Sequence, residues 1–111
     1  MSYPLDDEAR EEQTRVERQR AKLAEIQARK DFQAVLALPE GRRVLWAFLR
    51  ETGMDSSTFR LDPLAMAHAA GWRDAGNYWL GLTRLHCPER EAQMRNEARR
   101  DAQPEKSNDD E

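Results

Sequence analysis

Pro39-Glu40-Gly41-Arg42-Arg43-Val44-Leu45-Trp46-Ala47-Phe48-Leu49-Arg50-Glu51-Thr52-Gly53 contains the start, the apolar face and the end of one short helix. Proline has no backbone N–H and disfavours a helical residue before it, so Pro39 closes the preceding stretch and opens a new one. Val44, Leu45, Phe48 and Leu49 recur at i, i+1, i+4 and i+5 with Trp46 beside them, which predicts a helix from Arg42 to about Thr52 with one apolar stripe. Gly53 is its natural C-terminal stop.

Upstream, Phe32, Val35 and Leu36 share a helical face that ends at Pro39. Downstream, Met54 to Leu61 reads as a loop, with turn residues Asp55-Ser56-Ser57-Thr58 and Phe59 available as an anchor. Asp62-Pro63 is a helix-start pair, because the aspartate can cap exposed amides while proline occupies the first helical position. The helix it opens is expected to run to Leu85 and to pack through Leu64, Ala67, Gly71, Ala75, Tyr78, Leu82 and Leu85. Gly71 and Gly76 each cost about 1 kcal/mol relative to alanine inside a helix, so their presence implies close helix contact or a break. Pro88, again at a first-turn position, starts a fourth helix to about Arg100, with Met94 as its large apolar residue.

Beyond this core the chain is charged. Seven of the eight aromatics lie between Phe32 and Trp79; only Tyr3 falls outside. From about Asp7 to Lys30 the sequence is mostly Glu, Arg, Gln and Ala without Gly or Pro, and reads as helix. Ala9, Val16 and Leu23 repeat every seven residues and Ile26 follows Leu23 by three, but Glu12 and Gln19 occupy the second row of this thin seam. A solvated helix is therefore preferred over a coiled coil. At the other end, residues 101–111 close on Asp109-Asp110-Glu111 with little to bury, and a disordered tail is expected.

Composition sets further bounds. The 111 residues are 35% charged and 39% hydrophobic, with a net charge of −3, and the mean hydropathy is −0.97. Such a chain has room for one small core, and docking on a partner or on a second copy becomes an expectation. The acidic balance argues against affinity built on phosphate neutralisation. The single cysteine, Cys87, makes the fold independent of an oxidising compartment. Neither a secretory leader nor a membrane-spanning run is expected, which implies a soluble protein.

Candidate chemistry is sparse. His68, His86 and Cys87 lack the paired short spacings of a zinc site, and the serines stand in no nucleophile motif, so no catalytic residue, metal or cofactor is expected. Arg42, Arg43 and Arg73 invite a choice between partner binding and an internal clamp. For Arg73 a clamp onto Glu40, Asp62 or Asp74 is preferred, because a buried guanidinium must find acceptors. Trp72, near a charged face, is the better interface candidate than Trp46.

The ordered run Phe32-Val35-Leu36, Pro39-Glu40-Gly41-Arg42-Arg43-Val44-Leu45-Trp46, Gly71-Trp72-Arg73-Asp74-Ala75-Gly76, Leu80, Leu82, Pro88-Glu89, Met94 and Glu97 resembles a small tailed-bacteriophage protein family first named from a Bordetella phage. Its members carry a Gly-Arg-x-x-Leu-Trp helix, then a Gly-x-Arg-x-x-Gly helix, then a Pro-Glu step. The chain differs from the usual pattern at Gly76-Asn77-Tyr78-Trp79, where a Gly-Leu-Trp-Leu-like run is usual, and at Ala70 before Gly71, where an acidic residue is common. The resemblance implies a phage-encoded protein from the structural and packaging region, and no known catalytic residues.

The expected architecture is all-α: a charged helical extension over 1–30, a compact helical domain of three to four helices over 31–100, and the acidic tail over 101–111. Gly41, Trp46, Gly71, Gly76 and Pro88 form the structural motif, and Trp72, Arg73, Arg42 and Arg43 the partner-binding set. The expected function is a non-enzymatic virion or assembly component, located in the virion or the host cytoplasm, that contacts other virion proteins and is open to self-association. Neither membrane insertion nor specific DNA binding is expected. The alternative is a helical nucleic-acid-binding or host-takeover regulator.

Overall fold

The computed structural model describes residues 4–103, and among them there are four helices and no strand. They are α1 (Pro4–Ala37), α2 (Pro39–Glu51), α3 (Pro63–His86) and α4 (Pro88–Ala102). Each helix opens on a proline, whose fixed φ suits the first turn and whose missing N–H would have no intrahelical partner there. Asp62 caps α3 by accepting from the Leu64 N–H at 3.3 Å. Gly53, at φ +68°, takes the left-handed turn that ends α2. One residue, Cys87, separates α3 from α4, its N–H donating back to the Thr83 carbonyl at 2.7 Å.

The chain divides into two units between Asp31 and Phe32. In the first, α1 is a charged helix with local support: Arg15 pairs with Glu12 at 2.7 Å, and Gln27 donates to Asp31 at 2.9 Å. Its Val16, Leu23 and Ile26 are exposed. In the second, Leu49, Met54, Leu80 and Met94 form a buried cluster with Leu45 and Trp46 packed against it, and Leu36 and Cys87 are also buried. Met94 docks α4 with almost no other apolar material. No helix among the described residues is long and apolar enough to cross a membrane.

Several expectations need correcting. The inward residues of α3 are Gly76, Leu80, Thr83 and His86, while Leu64, Tyr78 and Leu85 are exposed. The three- and four-residue spacing through Gly71 picked the wrong stripe, because the close approach lies at Gly76, against Thr52, while Gly71 faces open space. In α2, Val44 is exposed and Leu49 carries the stripe inward. In the loop the anchor is Met54, since Phe59 is exposed. Of the expected tail, Asp101 and Ala102 belong to α4, and residues 104–111 lie outside the described residues.

Candidate interaction surface

The Gly41-Arg42 step joins three helices. A Cβ at Gly41 would overlap the Val35 carbonyl oxygen and lie 2.8 Å from its carbon, so only glycine lets α2 start this close to the end of α1. Arg42, next in sequence, is only 7% exposed. Its guanidinium donates to the Leu36 carbonyl at 2.9 Å and the Ala37 carbonyl at 3.2 Å, two of the carbonyls a helix end leaves without intrahelical partners. The last turn of α1 holds no basic residue, so Arg42 also supplies the positive charge that complements its dipole. From the other side Arg42 donates to both oxygens of Glu97 on α4, at 2.7 and 3.3 Å. Those bonds hold the Glu97 carboxyl below the ordinary carboxylate range.

A second polar chain ties α3, α4 and the α2–α3 loop. Arg84 donates to both oxygens of Glu91 at 2.5 and 3.0 Å, while Arg95 donates to Glu91 and to Asp55, each at 3.1 Å. The Arg84 bond, then that of Arg95, lowers the Glu91 pKa, although partial burial works the other way. Arg95 also lies over the Trp46 ring, 5.3 Å from its centroid. Trp46 lines a groove of about 320 Å³ between α2 and α4, with Arg43 and Arg50 along its edge.

The third feature is a ledge of aromatic rings. Trp79 is 41% exposed and meets Phe48 edge to face at 6.5 Å, Tyr78 edge to face at 6.4 Å and Phe32 at 6.1 Å. Tyr78 is largely exposed and Phe48 partly so. Behind them Phe32 packs on the buried His86 ring at 5.1 Å. This surface offers apolar faces and ring edges, groups suited to burying against another protein.

The sequence-predicted residues scatter over these features. Arg42 is turned inward and serves as the internal clamp that was expected of Arg73, whereas Arg73 and Arg43 are exposed. Trp72 is 44% exposed, and its indole N–H donates to His68 on the same helix at 2.8 Å. Gly76 lies in tight contact with the Thr52 side chain, but a Cβ at Gly71 would meet open space. Trp79, Tyr78 and Phe48 were missed as a group. The signal available in the sequence was the adjacent aromatic pair Tyr78-Trp79.

Residues 32–96 match the family model described as Bbp19-like phage protein. No curated protein and no solved structure matches the chain.

Proposed function

The chain belongs to the Bbp19-like phage protein family, and we propose that it serves as a virion or assembly component that acts through protein–protein contact rather than catalysis. The observation that carries this reading is the ledge of Trp79, Tyr78 and Phe48, three neighbouring rings left in solvent by a domain whose buried core contains few large side chains. Aromatic anchors account for a disproportionate share of interface energy, and such a cluster is costly to keep wet without a partner. The partner in this reading is another particle protein, met in the virion or in the host cytoplasm during assembly. Trp79 is the central anchor because it touches the other rings, whereas the indole N–H of Trp72 is satisfied within its own helix.

The test is protein identification in purified particles and assembly intermediates made with the natural chain or with Trp79→Ala. Loss of an interface tryptophan costs about 2 kcal/mol or more, so incorporation of the variant should fall at least about tenfold while its helical circular dichroism is retained. Trp72→Ala should reduce incorporation much less. Absence of the natural chain from both particles and intermediates would reject the proposal.

A further inference from the structure

We propose that the groove between α2 and α4 docks an acidic amphipathic helix of a partner protein. Arg43, Trp46, Ala47 and Arg50 recur at i, i+3, i+4 and i+7, so they share one side of α2. Across from them α4 presents Met94, Ala98 and Ala102 at four-residue steps. The cavity of about 320 Å³ between these rows continues past Trp46 and Ala98 into a second of about 520 Å³, which reaches Arg99 and the start of the α2–α3 loop. The floor is therefore one tryptophan ring among alanines, apolar and low enough for a helix to lie in it. This groove is separate from the aromatic ledge, since Phe48 lies about 200° around α2 from Trp46.

Charge identifies the partner's chemistry. Of the arginines on the groove, Arg42 is held by Glu97, and Arg95 by Asp55 and Glu91. Arg50 and Arg99 are exposed, and their side chains bond no other described residue. Arg43 meets only Glu40, at 3.6 Å and in solvent. Among the described residues, Asp101 is the one carboxylate on these walls without an arginine. Three cations thus face one free carboxylate beside an apolar floor, in a chain whose net charge is −3. Arg43 and Arg50 stand two turns apart, about 10 Å along the axis, which is the spacing of carboxylates seven residues apart on a helix. A helix with an acidic edge and an apolar stripe satisfies rim and floor together. The acidic runs of this chain, 6–12 and 104–111, contain no large apolar residue, so the partner is another protein. Nucleic acid fits less well, because Glu97, Asp101 and Asp55 stand among the arginines and repel phosphates.

The experiment is fluorescence anisotropy of a labelled peptide, two heptads of Glu-Ala-Leu-Glu-Ala-Ala-Leu, titrated with the full chain at physiological salt. The natural chain should bind it saturably at micromolar concentration. Arg50→Glu and Arg99→Glu should each weaken binding about tenfold or more with the helical circular dichroism unchanged. The same peptide with lysine in place of glutamate should not bind. Trp79→Ala should bind the acidic peptide as the natural chain does, so this contact and the ledge stand or fall separately. No binding of the acidic peptide would overturn the inference, as would equal binding of the lysine peptide or undiminished binding by Arg50→Glu. Displacement of the peptide by duplex DNA would make the groove a phosphate site. Sedimentation equilibrium supplies the remaining outcome: a dimer of the natural chain that Arg50→Glu dissociates would assign the groove to a second copy. Either result would also overturn the inference.

Discussion

Replacing Arg42 by alanine should destabilise the helical domain by about 3 kcal/mol, far more than any other arginine substitution on α2. Four hydrogen bonds are removed, two to Glu97 and two to the Leu36 and Ala37 carbonyls. The bond to Leu36 is buried, and an acceptor stranded there costs about 1–3 kcal/mol. The lost charge at the end of α1 adds about 0.5–1 kcal/mol. Glu97, whose side chain is 22% exposed, can recover part of its hydration, so its share stays below the roughly 3–5 kcal/mol of a fully buried broken pair. Near 70–80 residues, each kcal/mol moves the melting temperature by roughly 4–8 °C, and Arg42→Ala should melt about 12–24 °C lower than the natural chain.

The assay is urea and thermal unfolding followed by far-ultraviolet circular dichroism, with a double-mutant cycle on Arg42 and Glu97. The cycle should give a coupling energy of about 1.5–2 kcal/mol, since the pair is bidentate and largely shielded. The exposed Arg43–Glu40 pair, at 3.6 Å, provides the internal control and should couple by no more than about 0.5 kcal/mol. Arg42→Lys should recover only part of the loss, because an ammonium cannot present a planar fork to a carboxylate and reach two carbonyls as well. If Arg42→Ala cost no more than Arg43→Ala, the clamp would not hold the helices and the reasoning would fail.

Acid should loosen the same joints. Glu97 and Glu91 are held below the ordinary carboxylate range by Arg42 and Arg84 respectively, so their contribution is fully present above the unfolded glutamate value of about 4.3 and is lost as pH falls through the lowered folded values. Unfolding midpoints should be level near pH 6 and drop below about pH 4; an equal drop in Glu97→Gln/Glu91→Gln would show that other carboxylates are responsible. The two α3 glycines should respond in opposite directions. A Cβ at Gly76 would lie 2.7 Å from Thr52 Cβ, so Gly76→Ala should cost about 1–2 kcal/mol even after the helix-propensity gain, whereas Gly71→Ala should stabilise by up to about 1 kcal/mol. Urea midpoints of the two variants measure the contrast, and a stabilising Gly76→Ala would mean that α2 and α3 are not held at that point.

Element boundaries were legible because they rest on local chemistry. Pro39, Asp62-Pro63 and Pro88 mark starts, and Gly53 marks a stop, through backbone constraints that need no partner. Which side of each helix faces inward was legible only in part. On α3 the bulky Leu64, Tyr78 and Leu85 are exposed while Gly76 and Thr83 are buried, Gly76 where α2 brings Thr52 against it. Burial in this domain follows the distance of approach between helices, and no single helix records that distance. The clamp was misplaced for the same reason. Arg42 and Arg73 each sit in a glycine-containing motif, and choosing between them requires knowing that Glu97, 55 residues further on, comes to lie beside Arg42.

The exposed rings follow from the way the helices meet. Gly76 lets α3 approach α2 until it touches Thr52, a residue buried at the end of that helix and bonded to the Leu49 carbonyl at 2.6 Å. An interface this close has no room for an aromatic ring. Phe48 precedes Thr52 by one turn and Trp79 follows Gly76 by about one turn, so the two rings meet edge to face beside the contact rather than within it. The spacing that keeps the rings out of the contact also sets the separation of the backbone positions that carry Phe48 and Trp79. A substitution that opened the joint, such as Gly76→Ala, would move the rings apart as well as lower stability. The glycine thus acts on the proposed contact from beneath the surface, without touching the partner.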